Sequence, residues 1–147
     1  MKVRPLIAEH LKYATKTITF DGTSGKGLAG TNVPVFDVTG DVIVIVIVPF
    51  CSTLLAEAAP TATVSLGVVN APTLFLAASS ATNIDASEFW VITNPSAFSI
   101  AVPAALKDIA ITQNVVIAPA TQNVTAGVLR VDCYWMPLSA DGNLVAA

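Results

Sequence analysis

A chain of 147 residues is long enough for one domain with a real core, and its two cysteines make neither a disulfide framework nor a structural zinc site. Apolar residues make up 54% and charged residues only 12%, about half the roughly 25% usual in soluble domains, so much of the surface is expected to lie inside an assembly. The net charge is −3 and unevenly spread: Lys2, Arg4, Lys12 and Lys16 face only Glu9 in the first stretch, the rest is acidic, and four bases without interleaved aromatics make no nucleic-acid footprint.

Residues 1–15 read as a basic N-terminal arm, in which Pro5 can open a short helix. An arm of this sign suits an acidic neighbour such as another subunit. It has no apolar h-region followed by a small-residue cleavage site, so no secretory signal is expected. Residues 16–147 read as a single domain. A first strand is predicted over 16–20, with Ile18 and Phe20 inward and Thr17 and Thr19 outward. A glycine-rich loop over 21–30 follows. The next strand covers 32–38, where Pro34 argues for an edge position or a strand start.

The segment Asp41-Val-Ile-Val-Ile-Val-Ile-Val-Pro-Phe50 organises the rest. Its seven β-branched residues favour a strand over a helix. The run is far short of the roughly 20 apolar residues a membrane helix needs, so no membrane partner is expected. Strand alternation puts Val42, Val44, Val46 and Val48 on one face and Ile43, Ile45 and Ile47 on the other, and Pro49 is expected to end the strand. A sheet with one wet face would alternate apolar and polar residues, and this one does not. Each buried side chain here is worth roughly 1.5–3 kcal/mol. The second face is therefore expected to meet another layer, a chain segment or another copy, which makes Ile43, Ile45 and Ile47, with Lys2, Arg4 and Lys12, the candidate interface.

Beyond it, 51–60 reads as a connection with a helical turn at 54–58. Residues 61–68 alternate, with Ala62, Val64, Leu66 and Val68 inward. Asn70-Ala-Pro72 is a turn, 73–77 a strand, 79–87 a polar loop, and 88–93 a strand carrying Phe89 and Trp90. A strand at 97–102, a helical turn at 103–108 and strand signal over 110–118 follow. The last strand, 123–138, places Leu129, Val131, Cys133 and Trp135 inward and Arg130, Asp132 and Tyr134 outward, with Gly127 marking a bulge. The tail from Ser139 carries no strong signal. Eight or nine short strands separated by regular turn signals predict an all-β protein, a jelly-roll-like antiparallel β-sandwich.

Catalytic chemistry finds little purchase. Gly25-Lys-Gly-Leu-Ala-Gly30 spells G-x-G-x-x-G, but a phosphate site needs a helix after the motif and the sequence continues as Pro-interrupted β. His10, the single histidine, lies in the arm, away from any rigid triad. Asn83, Asp85 and Glu88 are too few and too loosely spaced for a Ca²⁺ loop and read as a turn. Cys51 and Cys133 read as reduced core thiols. Asn123-Val-Thr125 fits a glycosylation acceptor only by letter. No catalytic, metal or cofactor-binding residue is nominated, and the protein is expected not to be an enzyme. Trp90 and Tyr134 are candidates for stacking on a glycan, whereas Trp135 reads as core.

Several stretches together resemble small virion structural proteins of tailed bacteriophages: Thr17-Ile-Thr-Phe-Asp-Gly, Pro34-Val-Phe-Asp-Val-Thr-Gly-Asp, Asn83-Ile-Asp-Ala-Ser-Glu-Phe-Trp and Pro137-Leu-Ser-Ala-Asp-Gly-Asn-Leu-Val-Ala-Ala. The resemblance implies a capsid decoration (cement) protein, made in the host cytoplasm and carried on the capsid surface. Its partners would be further copies of itself, as a trimer, and the major capsid protein. The basic arm departs from that pattern and takes no role from it. The alternative expectation is a tail or fibre β-sandwich binding host-surface glycans through Trp90 and Tyr134.

Overall fold

The computed structural model describes residues 10–96 and 99–147. Lys2, Arg4 and the expected helix after Pro5 lie outside them, as do residues 97 and 98 of the expected strand at 97–102. Ten strands run in order: β1 (Lys12–Thr19), β2 (Val33–Thr39), β3 (Val42–Glu57), β4 (Thr63–Val68), β5 (Ala71–Ser80), β6 (Glu88–Phe89), β7 (Lys107–Ile111), β8 (Val115–Ala120), β9 (Val124–Pro137) and β10 (Asn143–Ala146). They form two antiparallel sheets. In the first, β1, β9 and β3 lie side by side, and β7 and β6 share the far edge of β3; in the second the order is β10-β2-β8-β4-β5. The chain changes sheet at every connection except those between β4 and β5 and between β6 and β7. The all-β sandwich expected from the strand pattern is the fold that forms.

The core lies between the sheets. Ile18, Val42, Val44, Ile47, Leu129, Val131, Cys133 and Trp135 from the first meet Val33, Phe36, Val64, Leu66, Val115, Ile117 and Leu144 from the second. The alternation in β9 is as the sequence implies, with Arg130, Asp132 and Tyr134 outward of Leu129, Val131, Cys133 and Trp135. In β4, Ala62, Val64, Leu66 and Val68 are buried as expected, but Ser65 and Gly67 are buried as well. At Gly67 a Cβ would stand 2.1 Å from the Ala71 carbonyl oxygen, so β5 folds over this position and admits no side chain there.

Strand β3 departs from expectation in two ways. It does not stop at Pro49 but continues to Glu57, replacing the connection and helical turn expected at 51–60. The Pro49 carbonyl accepts a hydrogen bond from Trp90 N–H at 3.0 Å. In a strand a residue's N–H and C=O point to the same side, so the missing proline donor faces that same edge. It falls in the gap between β7, whose pairing with β3 ends at Val46, and β6, which begins at Phe50. No bond is lost, and β9 holds the strand through its other side.

The second departure is a bulge. Val44 pairs with Trp135 and Val46 with Tyr134, so β3 spends two residues where β9 spends one. Ile45 is the extra residue, and the phase flips there: Val42 and Val44 are buried before it, Ile47, Pro49 and Cys51 after it, while Ile43, Ile45, Val46, Val48 and Phe50 are half-buried. The grouping of Ile43, Ile45 and Ile47 on one face is therefore corrected: Ile47 is fully buried core.

Smaller differences follow from pairing partners. β1 begins at Lys12, four residues before the expected start, because β9 is long enough to pair with Lys12 through Trp135. β2 is interior, yet Pro34 is tolerated because β10 reaches only as far as Phe36. β5 continues to Ser80, into the expected loop, and the expected strand over 88–93 shortens to two residues. The helical turn expected over 103–108 is a 3₁₀ turn at Ala104–Leu106. The tail forms β10 on the edge of the second sheet, anchored by a corner in which Leu138 and Ser139 N–H both donate to the Asp41 carbonyl and Asp41 N–H donates to Ser139 Oγ.

The phase flip gives a direct test. Ile47→Ala should cost about 2–5 kcal/mol, as a buried truncation does, while Val46→Thr should cost under about 1 kcal/mol in chemical denaturation of dilute protein. Equal losses at the two positions would place the bulge elsewhere.

Candidate assembly face

The outward side of the first sheet gathers most of the residues of interest. Across it run Tyr13, Tyr134 and Val46; then Thr15, Asp132 and Val48; then Thr17, Arg130, Phe50 and Phe89, each row set by the pairing of β1, β9, β3 and β6. Ile43 and Met136 pair beyond the first row, and Lys107 lies opposite Val46 at the β7 edge. Tyr13 and Tyr134 are 53% and 44% exposed with ring centroids 5.1 Å apart, and Phe50 and Phe89 make a second tilted pair at 5.1 Å. The Arg130 guanidinium lies 5.2 Å from the centre of the Phe50 ring. The β3 residues on this side, Ile43, Ile45, Val46, Val48 and Phe50, are half-buried.

The polar groups on this face satisfy one another. Asp132 Oδ1 accepts from Tyr13 Oη at 2.7 Å and from Thr15 Oγ1 at 2.9 Å, and its Oδ2 accepts from Arg130 Nε at 2.8 Å. Burial pushes the Asp132 carboxyl up, but the bonds from Tyr13, Arg130 and Thr15 outweigh it and hold the group below its ordinary 3.8. The same bond to Asp132 pushes the Tyr13 phenol up. Asp132 and Arg130 cancel, so the centre of the face is aromatic, aliphatic and electrically neutral.

Of the other residues nominated from the sequence, Ile43 and Ile45 sit half-buried on this outer side, and Ile47 does not. Lys12 is exposed at the start of β1 with its ammonium 5.4 Å from the Trp135 ring centre. Trp90 is fully buried and its Nε1–H donates to Ser79 Oγ at 2.8 Å, so neither ring face is open to a sugar. Tyr134 alone of the glycan pair is exposed. Tyr13, which the sequence leaves in the arm, joins this face because β1 starts at Lys12 and pairs Tyr13 with Tyr134.

The remaining motifs resolve into structure. The glycine-rich segment leads into β2 rather than a helix, and Gly27, at φ 116°, lies so close to β9 that a Cβ would stand 2.1 Å from the Val124 carbonyl oxygen. Asp85 N–H donates to Glu88 Oε2 at 2.9 Å, closing a turn, and among the described residues no three His, Cys, Asp or Glu side chains converge as metal ligands. Asn123 Oδ1 accepts from Ala29 N–H at 3.0 Å, tying that side chain to a loop. Burial, with Glu88 and Asp85 nearby, pushes the Cys51 thiol up to about 11, and burial pushes Cys133 up to about 12. A groove of about 350 Å³ between β1 and β2 is lined by Lys16, Ile18, Lys26 and Pro34, and the Lys16 ammonium donates to the Ala147 carbonyl.

No family model and no curated protein matches the chain. Among solved structures, the fold is similar to a chain of the cyanophage Pam1 capsid asymmetric unit, with a TM-score of 0.50 and 23% identity, covering 86% of this chain and 85% of that one. The likeness is one of fold.

Two measurements check the site. A carboxyl held low in the folded state lends stability above its unfolded value of 3.8 and loses it as pH falls through the lower folded value. Asp132→Asn should thus lower the melting temperature at pH 7, by the equivalent of about 1 kcal/mol or less for groups this exposed, and the gap to the native protein should close as pH falls below 3.8. A gap that widens in acid would contradict the assignment. A disulfide-exchange reagent at pH 8 should leave both thiols untouched in the native protein and titrate two per chain after denaturation; fast native labelling would show that the core is open.

Proposed function

We propose that this chain is a structural subunit of a phage virion. The observation that carries the reading is the likeness in fold to a capsid component, which spans nearly the whole of both chains. A neutral, half-covered apolar sheet face on a protein with 12% charged residues supports it, because such surface is costly for a free monomer to keep and is ordinary at a subunit contact. The thiols, pushed up to about 11 and about 12, are poor nucleophiles at neutral pH, which fits a structural role. The finer reading is a capsid decoration subunit, acting as a homo-oligomer that adds buried contacts against the major capsid protein and so favours the assembled shell by mass action. The glycan-binding alternative retains only Tyr134 and is the weaker of the two.

Mass spectrometry of gradient-purified particles from the source should find the chain in stoichiometric proportion to the shell protein, retained through washing. Its absence from washed particles would sink the virion reading. Retention in trace copies, as a tail component would show, would sink the decoration reading alone.

A further inference from the structure

The side of β3 that faces away from the core carries Ile43, Ile45, Val46, Val48 and Phe50, all half-buried, and beside them lie the ring pairs Tyr13–Tyr134 and Phe50–Phe89. We propose that this face is covered by the same face of a second copy of the chain, related by a twofold axis. The inference deepens the structural-subunit reading and rests on it for its purpose.

Three observations select a second copy. The first is charge. The chain carries −3 overall, yet among the described residues of this face Asp132 is neutralised by Arg130 and Lys107 stands at the rim. Two such faces meet without opposed like charges, while a strongly charged partner finds nothing to read. The second is polar satisfaction. Asp132 already accepts three bonds from Tyr13, Thr15 and Arg130, so an uncharged apolar partner strands no buried carboxylate. The third is size. Four strand positions at about 4.8 Å and the span from Arg130 to Met136 at about 3.3 Å per residue give a flat footprint of about 440 Å², and the rings and branched side chains standing on it raise the accessible area towards the roughly 800 Å² per partner of a specific interface. A twofold axis makes the patch complementary to itself, with Tyr13 and Tyr134 meeting the aliphatic strip of the other copy.

Light scattering on the eluting full chain, at tens of micromolar and with no capsid present, tests this. A dimer mass is expected. Val46→Asp and Tyr134→Ser should each return it to a monomer with unchanged circular dichroism, and Val69→Ser, at an exposed turn of the other sheet, should leave it a dimer. A monomeric native chain overturns the inference and leaves the particle test above unaffected. A trimer would overturn the twofold pairing. A monomer in which Val46→Cys resists maleimide would show that the chain's own residues cover the face, and would overturn it too.

Discussion

The pairing of β3 with β9 is the constraint on which the molecule depends. The two strands run against each other from Val42 opposite Pro137 to Glu57 opposite Val124. Because β9 satisfies one whole side of β3, the other side is free to be shared by two short strands with a gap between them. Pro49 sits in that gap at no cost in hydrogen bonds, and the strand runs on. β1 then adds to the far side of β9 and β7 to the near edge of β3, so the pair fixes the register of the whole first sheet.

The same pair decides which residues are dry. A run of seven β-branched residues carries no polar marker to announce which side faces the core, so periodicity alone assigned the faces. The assignment held for Val42 and Val44 and failed after Ile45, because a one-residue bulge is invisible in a sequence where every neighbour is Val or Ile. β9 was legible throughout, since Arg130, Asp132 and Tyr134 alternate with apolar residues and mark the outer side. Trp90 shows the opposite limit. Its strand signal was correct for only two residues, and its burial depends on Ser79, whose hydroxyl accepts the indole proton, a partner from a stretch that reads as a polar loop. β10 was missed for a related reason: Asn143–Ala146 has no pattern of its own and becomes a strand because the corner around Asp41 and Ser139 delivers it to β2.

What was read from the sequence about use has a physical centre in the structure. A strand of Val and Ile alone implies two dry sides; one side is buried, and the other is half-buried among the described residues. Around the strip, the polar ends of Tyr13 and Arg130 are bonded to Asp132. The neutral Asp132–Arg130 pair sets the chemistry of whatever lies on top.

The inward-facing lysine of β1 bears on how such an association would end. Lys16 points into the sandwich on the outermost strand of the first sheet and bonds to the Ala147 carbonyl. A strand from another molecule aligning along β1 would have to pack against that ammonium and displace its bond, which makes edge-on sheet extension unfavourable. That protection falls on one edge of a chain with only 12% charged residues to keep copies apart.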